Sequence, residues 1–412
     1  MSTVTDVLAA AVRSHGDVMC AQSEHVRKVL HTVLKCRSGE LGASLYRCAD
    51  CGHEQLQAHS CRNRNCGRCQ AGASYAWLDN QREKLLDIRY AHVVFTLPHS
   101  LNDLIKQNQR ELYGILFRSV SETLLEFGRR QWGVQLGLSC VLHTWGQSMV
   151  RHYHLHCIVT AGGLAEDGIE WRERGCKNWL FPVRALSKVF RGKYMHYLKT
   201  ECARAKLQYD GGLLSETANC FRSLCKRCYD KSWTVHSKMS FGSPEHVLRY
   251  LSLYTHRIAI SDRRIVELDE AKQRVRIAYK DYRNGAKRKQ MWLSLKVFLS
   301  RFCDHVLPTR FVKIRHYGLL ANRNLAERLS RIRDLIAMHK SSQQCSGADA
   351  QPDRAKADAP EPNDRTHESG CLCRACGSRH VEVIANDAQA IARFLASNEM
   401  HDRLKAVQLN ST

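Results

Sequence analysis

Residues 151–159, with the sequence RHYHLHCIV, place a histidine at every second position. Alternate side chains of an extended strand lie on the same face, so His152, His154 and His156 would line one side of one strand. Neutral imidazole is a common ligand of divalent metal ions. The sequence therefore predicts either a metal site on this strand or a row of histidines that faces solvent or forms hydrogen bonds on a sheet.

Gln147 lies seven residues before His154, at the end of the strand predicted to precede the histidine strand. If the two strands form a hairpin, the amide oxygen of Gln147 can join His154 and His156 at one cation. An amide and two imidazoles leave open coordination positions on an octahedral ion such as Mg2+ or Mn2+. An ion with open positions can polarise a phosphate and neutralise the charge that develops during cleavage.

A second candidate group is a pair of tyrosines on a predicted helix. The segment SPEHVLRYLSLYTH begins with a serine cap followed by proline, a common helix start, and it carries Tyr250 and Tyr254. Tyrosines four residues apart share one helix face, and a phenol can attack phosphorus to form a phosphotyrosine ester. Tyrosine and leucine at this spacing are more typical of a helix packed into a core, but a metal-binding strand in the same chain favours the chemical interpretation.

Two CxxC motifs indicate a structural zinc site. Cys48 and Cys51 form the first motif, and Cys66 and Cys69 form the second. Because four thiolates can surround Zn2+ tetrahedrally, the sequence predicts that these four residues share one ion. Cys61 lies between the motifs and can replace one of the four. Cysteines that bind nothing are the alternative.

A further group of cysteines lies near the C-terminus. Cys371, Cys373 and Cys376 form a compact cluster that is followed by a glycine. The cluster predicts either a second zinc site or a loose tail. Disulfides are not expected, because cytosolic thiols are kept reduced.

The chain of 412 residues has a formal net charge of +23. The excess lies outside the C-terminal segment, because residues 345–412 hold eight basic and ten acidic side chains. A basic protein body is typical of nucleic-acid binding. The first residues lack the features of a signal peptide, and no apolar run is long enough to span a membrane. We therefore expect a cytoplasmic protein with a nucleic-acid partner and no membrane partner.

The elements that must position these residues are a mixture of helices and strands. Hydrophobic patterning predicts strands over 91–98, 137–147 and 153–164, and the last two are close enough to form a hairpin. Three further short strands are predicted within 257–282. Helices are expected at 5–35, 71–88, 101–133, 183–208, 291–305 and 386–407, and a polar, proline-rich composition predicts a disordered linker at 341–370.

Several of these motifs occur together and in the same order in one known family. The chain resembles the rolling-circle transposases of the insertion sequence 91 type, within the HUH endonuclease superfamily. The resemblance covers most of residues 10–335. It rests on the motifs CRNRNCGRCQ, HVVFTLPH, VLHTWGQ, HYHLHCIV, FGSPEHVLRYLSLYTHRIAIS and FVKIRHYGLLANR.

The resemblance implies an α+β fold, in which a ferredoxin-like antiparallel HUH nuclease sheet with helices follows a small zinc-binding domain. It implies that His154 and His156 hold a catalytic Mg2+ or Mn2+. Gln147 occupies the place where relatives often have a third polar ligand. Tyr250 and Tyr254 match the paired catalytic tyrosines of the group.

The implied activity is transposition, in which single-stranded DNA is nicked and rejoined at the ends of a mobile element through a 5′-phosphotyrosine. The expected domains are 1–88 (helical and zinc-binding), 89–320 (nuclease) and 321–412 (basic helix, linker and cysteine-containing tail). A plasmid or phage replication initiator would share this chemistry, and a non-catalytic zinc-dependent regulator would explain the charge and the cysteines. We expect a bacterial, nucleoid-associated protein. The residues expected to contact DNA are Arg62, Arg64, Arg68, Lys238, Arg249 and Arg257.

Overall fold

The computed structural model describes residues 2–70, 81–173, 180–204, 207–215, 218–241, 258–344 and 372–386, with the single residues 392 and 396. Within these ranges the chain forms helices and antiparallel sheets, which confirms the mixed class predicted from the sequence. The predicted helices at 71–88 and 386–407, the tyrosine helix and the predicted linker lie wholly or largely outside the described residues.

The N-terminal module, residues 2–70, consists of helices followed by a hairpin. Thr3 caps the first helix, because its hydroxyl accepts a hydrogen bond from the backbone N–H of Asp6. The Asp6 carboxylate accepts one in return from the backbone N–H of Thr3 at 2.7 Å, so two N–H groups at the helix start are satisfied. The elements are α1 (Val4–Ser14), α2 (Gly16–Cys20), α3 (Glu24–Leu34), β1 (Ala43–Cys48) and β2 (Glu54–Ala58).

The middle of the chain alternates between long helices and strands. One helix of 24 residues ends at Gly133, which adopts the left-handed conformation (φ +62°) that glycine reaches without steric cost. The elements are β3 (Tyr90–Thr96), α4 (Asn102–Gln107), α5 (Gln109–Trp132), β4 (Val134–Gln135), β5 (Gly137–Trp145), β6 (Arg151–Thr160), β7 (Gly162–Ala165), β8 (Trp171–Glu173), α6 (Val183–Ala203), β9 (Gln208–Tyr209), β10 (Gly212–Leu213), α7 (Asn219–Tyr229) and β11 (Val235–Phe241).

The last part of the chain adds a small sheet, a strand of the central sheet and two further helices among the described residues. Ser294 begins the first of these helices, and its hydroxyl accepts a hydrogen bond from the backbone N–H of Val297. The elements are β12 (Ile265–Asp269), β13 (Arg274–Asp281), β14 (Lys287–Ser294), α8 (Leu295–Asp304), β15 (Ile314–Gly318), α9 (Leu325–Gln344) and β16 (Val381–Ala385).

The histidine strand β6 lies in the middle of the central sheet. In the described parts of the chain the strand order is β11-β3-β6-β5-β15, and every neighbouring pair is antiparallel. The predicted hairpin of β5 and β6 is confirmed, and its register places His143 opposite His154. On the other side of β6, Thr96 lies opposite His154 and Val94 lies opposite His156.

The two faces of the central sheet differ in character. Phe95, Leu142 and Leu155 are buried on one face and belong to the core that contains residues of α5 and α6. The residues that alternate with them point to the opposite face, because neighbouring side chains in a strand point opposite ways. Burial of one apolar face anchors the sheet, and the histidines lie on the other face.

A second core joins the N-terminal module to elements far away in the sequence. It contains Leu8 of α1, Leu30 of α3, Ile277 of β13 and Phe298 of α8, all fully or almost fully buried. Contacts therefore cross the boundary predicted at residue 88. The division of the chain at residues 88 and 320 stays a prediction.

The small sheet of β12, β13 and β14 differs from the predicted strands. Residues 258–262 form no strand, and the third strand of the sheet is β14 instead. The sequence of β14 begins KRKQ and lacks the apolar alternation that signals a strand. Its charges are matched across the sheet, since the ammonium group of Lys289 lies 2.8 Å from the carboxylate of Asp281.

Candidate active site

Three histidines of the central sheet come together on the face opposite the main core. Each of His143, His154 and His156 offers a ring nitrogen, and these nitrogens all lie within 4.8 Å of one another. The register explains the grouping, because His143 is opposite His154 and His156 is two residues further along the same strand. Sequence reasoning identified His154 and His156 and missed His143, which the register of the predicted hairpin would have placed beside them.

The hydrogen bond of His154 fixes its protonation. Its Nδ1 lies 2.7 Å from the backbone carbonyl of His152, and a carbonyl can only accept. Nδ1 therefore carries the proton, and Nε2 carries the lone pair that a metal ion requires. A ring N–H that donates to a carbonyl is the usual outer contact of a metal-binding histidine.

A fourth histidine, His92 on β3, contacts His156. The Nε2 of His92 lies 2.9 Å from the Nδ1 of His156, and the two ring planes are within 4° of parallel with a centroid distance of 5.2 Å. Burial lowers the pKa of His92 to about 4, so its ring is neutral near pH 7. If His92 accepts this hydrogen bond, the lone pair of His156 is on Nε2. His92 could not be predicted as part of the site from the sequence, because its contact with β6 depends on strand order.

The histidines line a cavity of about 1260 Å³. Residues of β13 and of the turn after it also line this cavity, as do Trp145 and the predicted ligand Gln147. Arg264 donates a hydrogen bond to the backbone carbonyl of Gln147. The cavity combines cations with aromatic rings, as single-strand binding grooves do. These residues are Lys238, Arg264, Lys280, Trp145, Tyr279 and Tyr282.

A second cavity of about 350 Å³ shares Trp145 with the first. Arg64, Arg310 and Lys313 are among its lining residues. Burial lowers the pKa of Lys313 to about 7, and the nearby charge of Arg64 adds to the effect. The Lys313 ammonium group lies 5.4 Å from the centre of the Trp145 ring, so a cation and an aromatic face adjoin.

The cysteines of the two CxxC motifs do not share one site. Cys66 and Cys69 group with Cys36 and Cys61, and the four sulfur atoms lie within 4.8 Å of one another. The Cys69 sulfur lies 3.6 Å from those of Cys36 and Cys61. The predicted set of Cys48, Cys51, Cys66 and Cys69 is therefore wrong as a single group, although Cys61, the spare candidate, does join the second motif.

The β1–β2 hairpin explains the division. Cys48 ends β1 and Cys51 lies in the turn that follows, at one end of the hairpin. At the other end, the backbone N–H of Arg37 donates to the carbonyl of His59, which brings the end of α3 beside the start of the second motif. Cys36 is thus near Cys66, while Cys48 and Cys51 group with Cys373 and Cys376.

Known proteins resemble this chain in both halves. Residues 10–97 match a family model described as "Transposase zinc-binding domain", and residues 137–328 match one described as "Putative transposase". A protein named "Putative transposase y4qJ" from Sinorhizobium fredii is 40% identical over 339 residues, which are 80% of this chain and 84% of the relative. "Transposase for insertion sequence element IS801" from Pseudomonas savastanoi pv. phaseolicola is 30% identical over 311 residues, 74% of this chain and 73% of the relative.

The chain belongs to the insertion sequence 91 family of transposases. A transposase acts on DNA, which agrees with the basic charge of this chain. The match to the zinc-binding domain also supports structural Zn2+ at the cysteines of the N-terminal module. No helix among the described residues is both long enough and apolar enough to cross a lipid bilayer.

The remaining predicted site residues of this transposase have different surroundings. Lys238 lines the histidine cavity. Arg62 and Arg64 are both exposed. Arg64 donates to the carbonyl of Phe311 at 2.6 Å, and Arg68 donates weakly to the carbonyl of Cys36. Residues outside the described part of the chain are Tyr250, Tyr254, Arg249, Arg257 and Cys371.

Proposed function

We propose that this transposase is an HUH nuclease that nicks and rejoins single-stranded DNA at the ends of its mobile element during rolling-circle transposition. The observation that carries the proposal is the cluster of His143, His154 and His156 on the polar face of an antiparallel sheet, inside a cavity with cations and aromatic rings. The central position of β6 and the helices on the opposite face support a ferredoxin-like nuclease fold.

The donor set fits a divalent cation. The hydrogen bond of His154 leaves its lone pair on Nε2, and the neutral state of His92 allows His156 to keep its lone pair on Nε2 as well. His143, His154 and His156 would hold the ion, and Gln147, which lines the same cavity, is the further candidate ligand. Imidazole suits Mn2+ better than Mg2+, which prefers oxygen ligands, so we propose Mn2+ as the better activator. When bound, the ion would polarise the scissile phosphate.

Cationic side chains of the cavity would hold the DNA backbone. Lys238, Arg264 and Lys280 line the same space as the histidines. Lysine and arginine bind phosphates without regard to sequence, whereas Trp145 and Tyr282 offer faces on which bases can stack. The cations of the cavity outnumber its one acidic lining residue, Asp281, so its charge opposes that of DNA.

The nucleophile in this proposal is Tyr250 or Tyr254. The phenolate oxygen attacks phosphorus, a phosphotyrosine ester forms, the bond to the 3′ oxygen breaks, and that oxygen leaves as a hydroxyl after taking a proton. The reverse reaction rejoins the strand without ATP, because the ester conserves the bond energy. Lys238, Arg249 and Arg257 are the candidate cations that would lower the phenol pKa from its usual value of about 10.

Two other functions compete with this proposal. A plasmid or phage replication initiator would carry out the same cleavage, but the named relatives are transposases. A non-catalytic zinc-dependent regulator would explain the charge and the cysteines, yet it would need neither three converging histidines nor the polarity of their cavity.

The proposal is tested with a single-stranded oligonucleotide that carries an element end, incubated with the full-length protein and Mn2+. We expect a covalent protein–DNA adduct on a denaturing gel. Tyr250→Phe and Tyr254→Phe together should abolish it, as should His154→Ala. Tyr229→Phe, at an exposed tyrosine on α7, is the matched control and should leave it intact.

Mass spectrometry of the adduct identifies the tyrosine that carries the nucleotide. DNA binding with no adduct in Mn2+ or Mg2+ would favour the regulator. An adduct on a tyrosine other than Tyr250 or Tyr254 would reject the assigned nucleophiles while leaving the nuclease intact.

A further inference from the structure

We propose that Cys48, Cys51, Cys373 and Cys376 form a second zinc site, which fastens the C-terminal segment 372–385 to the N-terminal module. The match to the zinc-binding family model ends at residue 97, so the C-terminal cysteines lie beyond it. This inference is independent of the proposed nuclease chemistry.

The sulfur atoms have the spacing of a zinc site. The Cys48 sulfur lies 3.7 Å from that of Cys376, the Cys51 sulfur lies 3.5 Å from that of Cys373, and all four lie within 4.8 Å of one another. A tetrahedral ion with zinc–sulfur distances of about 2.3 Å separates its sulfurs by about 3.8 Å. A disulfide would instead need a sulfur–sulfur distance of about 2.05 Å.

The two pairs of cysteines have the same backbone geometry. The N–H of Gly52 donates to the carbonyl of Cys48 at 2.9 Å, and the N–H of Gly377 donates to the carbonyl of Cys373 at 2.9 Å. Both glycines are left-handed, with φ of +70° and +75°.

The similarity extends to the next hydrogen bond. The N–H of Cys48 donates to the carbonyl of His53, and the N–H of Cys373 donates to that of Ser378. The same CxxCG turn thus occurs twice, and the two turns face each other.

Side chains of the N-terminal module form hydrogen bonds with the C-terminal segment 372–385. The amide of Gln55 donates to the carbonyl of Leu372 and accepts from the N–H of Arg374, both at 2.8 Å. Asp50 accepts hydrogen bonds from Ser378 and, at 3.1 Å, from the ring of His380. The buried Gln55 amide both donates and accepts a hydrogen bond with the C-terminal segment. This indicates a specific binding position, because a buried amide without hydrogen bonds costs free energy.

The strand β16 completes the arrangement. It pairs antiparallel with β1, from Cys48 opposite Val381 to Leu45 opposite Ala385. A strand of five residues at a sheet edge holds little by itself, and residues 345–371 separate it from α9. A metal ion that joins cysteines more than 300 residues apart in the sequence would supply the binding free energy that the short strand cannot supply alone.

The first test is the zinc content of the purified full-length protein, measured by plasma mass spectrometry. We expect about two ions per chain in the wild type. Cys373→Ser with Cys376→Ser should hold about one, and adding Cys48→Ser with Cys51→Ser to that variant should remove no more. A wild type with one ion, or a Cys373/Cys376 variant that keeps two, would overturn the proposal.

The matched control replaces cysteines outside both clusters. Cys20 and Cys220 are exposed. Cys20→Ser with Cys220→Ser removes the same number of thiols and should leave two zinc ions per chain. A loss of zinc in this control equal to that of the Cys373/Cys376 variant would also count against the second site.

The second test does not depend on how well a cysteine variant folds. A protease recognition sequence is inserted within residues 345–371 of the otherwise intact chain, and the chain is cut after purification. We expect the C-terminal fragment to stay bound on a sizing column and to leave when 1,10-phenanthroline removes the zinc. Release without the chelator, or retention after all zinc is gone, would show that zinc does not hold the segment.

Discussion

The Nε2 of His92 lies 2.9 Å from the Nδ1 of His156, across the pairing of β3 with the histidine strand. The neutral state of His92 allows its Nε2 to accept a hydrogen bond from the Nδ1–H of His156, which leaves the lone pair of His156 on its Nε2. His92 is therefore a positioning residue of the proposed nuclease, one contact removed from the ion.

Replacing His92 should weaken metal binding more than it weakens DNA binding. His92→Phe removes the acceptor and should reduce Mn2+ affinity by about 10- to 100-fold, as is usual for outer contacts of metal ligands. His92→Gln keeps an acceptor oxygen and should retain part of the affinity. The measurement is Mn2+ titration followed by electron paramagnetic resonance, alongside the Mn2+ dependence of nicking.

The control for His92 is His99→Phe. His99 lines the same cavity and its ring lies 5.6 Å from that of His152, but it does not pair with a member of the cluster in the way His92 does. Equal Mn2+ affinities in His92→Phe and the wild type would remove the positioning role.

The identity of the third ligand can be decided by comparing two variants. His143 has its ring nitrogen in the cluster, whereas Gln147 is a lining residue of the same cavity. We expect His143→Ala to lower Mn2+ affinity by at least tenfold and Gln147→Ala to have a smaller effect, because imidazole binds Mn2+ more strongly than an amide. Isothermal titration with Mn2+ measures both, and the reverse order would restore Gln147 as the third ligand.

The central sheet was predictable where its pattern is local. Alternating residues identified β5 and β6, and their separation by a few residues indicated a hairpin. The strand β14 was not predictable, because Lys287, Arg288 and Lys289 interrupt its pattern and its charges are matched only across the sheet. Strand order beyond the hairpin depends on long-range pairing, which no local pattern encodes.

The residues of the candidate site were likewise predictable only where they follow from a local pattern. His154 and His156 follow from the alternation of one strand, and His143 requires only the hairpin register. His92 requires that β3 pair with β6, a contact between residues 64 positions apart. The predicted grouping of the cysteines was wrong for the same reason. Cys36 and Cys373 each complete one cluster, and only the tertiary fold brings them beside the CxxC motifs.

Lys313 should contribute to the binding of single-stranded DNA. Lys313 lines the second cavity, which shares Trp145 with the histidine cavity. Arg310 is another cation that lines the second cavity. Lys313→Ala should weaken binding by about fivefold for any sequence and reduce the dependence of log affinity on log salt by about 0.7, the value for one phosphate contact. Fluorescence anisotropy at several salt concentrations measures this.

Lys28→Ala is the control for Lys313. Lys28 is exposed on α3 and pairs with Glu24. An equal loss in both variants would mean that net charge, rather than the second cavity, determines the affinity. Because the pKa of Lys313 is about 7, wild-type binding should also strengthen from pH 8 to pH 6 more than that of Lys313→Arg.

The ion pair between Arg151 and Asp304 should matter for stability. The guanidinium of Arg151, at the start of the histidine strand, lies 2.9 Å from the carboxylate that ends α8, and the Asp304 side chain is only 12% exposed. Asp304→Asn leaves Arg151 with only the carboxylate of Asp103, whose side chain is 78% exposed, and should cost about 2 kcal/mol of unfolding free energy. Glu270→Gln breaks the exposed pair with Arg13 and should cost at most about 0.5 kcal/mol. Urea unfolding compares the two, and similar costs would contradict the prediction.

His305 should make the protein less stable in mild acid. The buried ring donates from Nε2 to the carbonyl of Met149 at 2.9 Å and accepts at Nδ1 from the hydroxyl of Thr144 at 3.1 Å, so it is held neutral. Burial lowers its pKa to about 4. As the pH falls below about 6.5, the unfolded chain binds a proton at this residue and the folded chain does not, which costs about 1.4 kcal/mol per pH unit until pH 4.

The variant His305→Gln isolates this effect, because glutamine can still donate to Met149 and does not titrate. Between pH 7 and pH 5 the wild type should lose about 2 kcal/mol more unfolding free energy than the variant. Urea unfolding at the two pH values gives the difference, and acid effects on the zinc sites are common to both proteins and cancel. Identical pH dependence in the two proteins would mean that His305 has the same pKa in the folded chain as in the unfolded chain, and this would contradict the prediction.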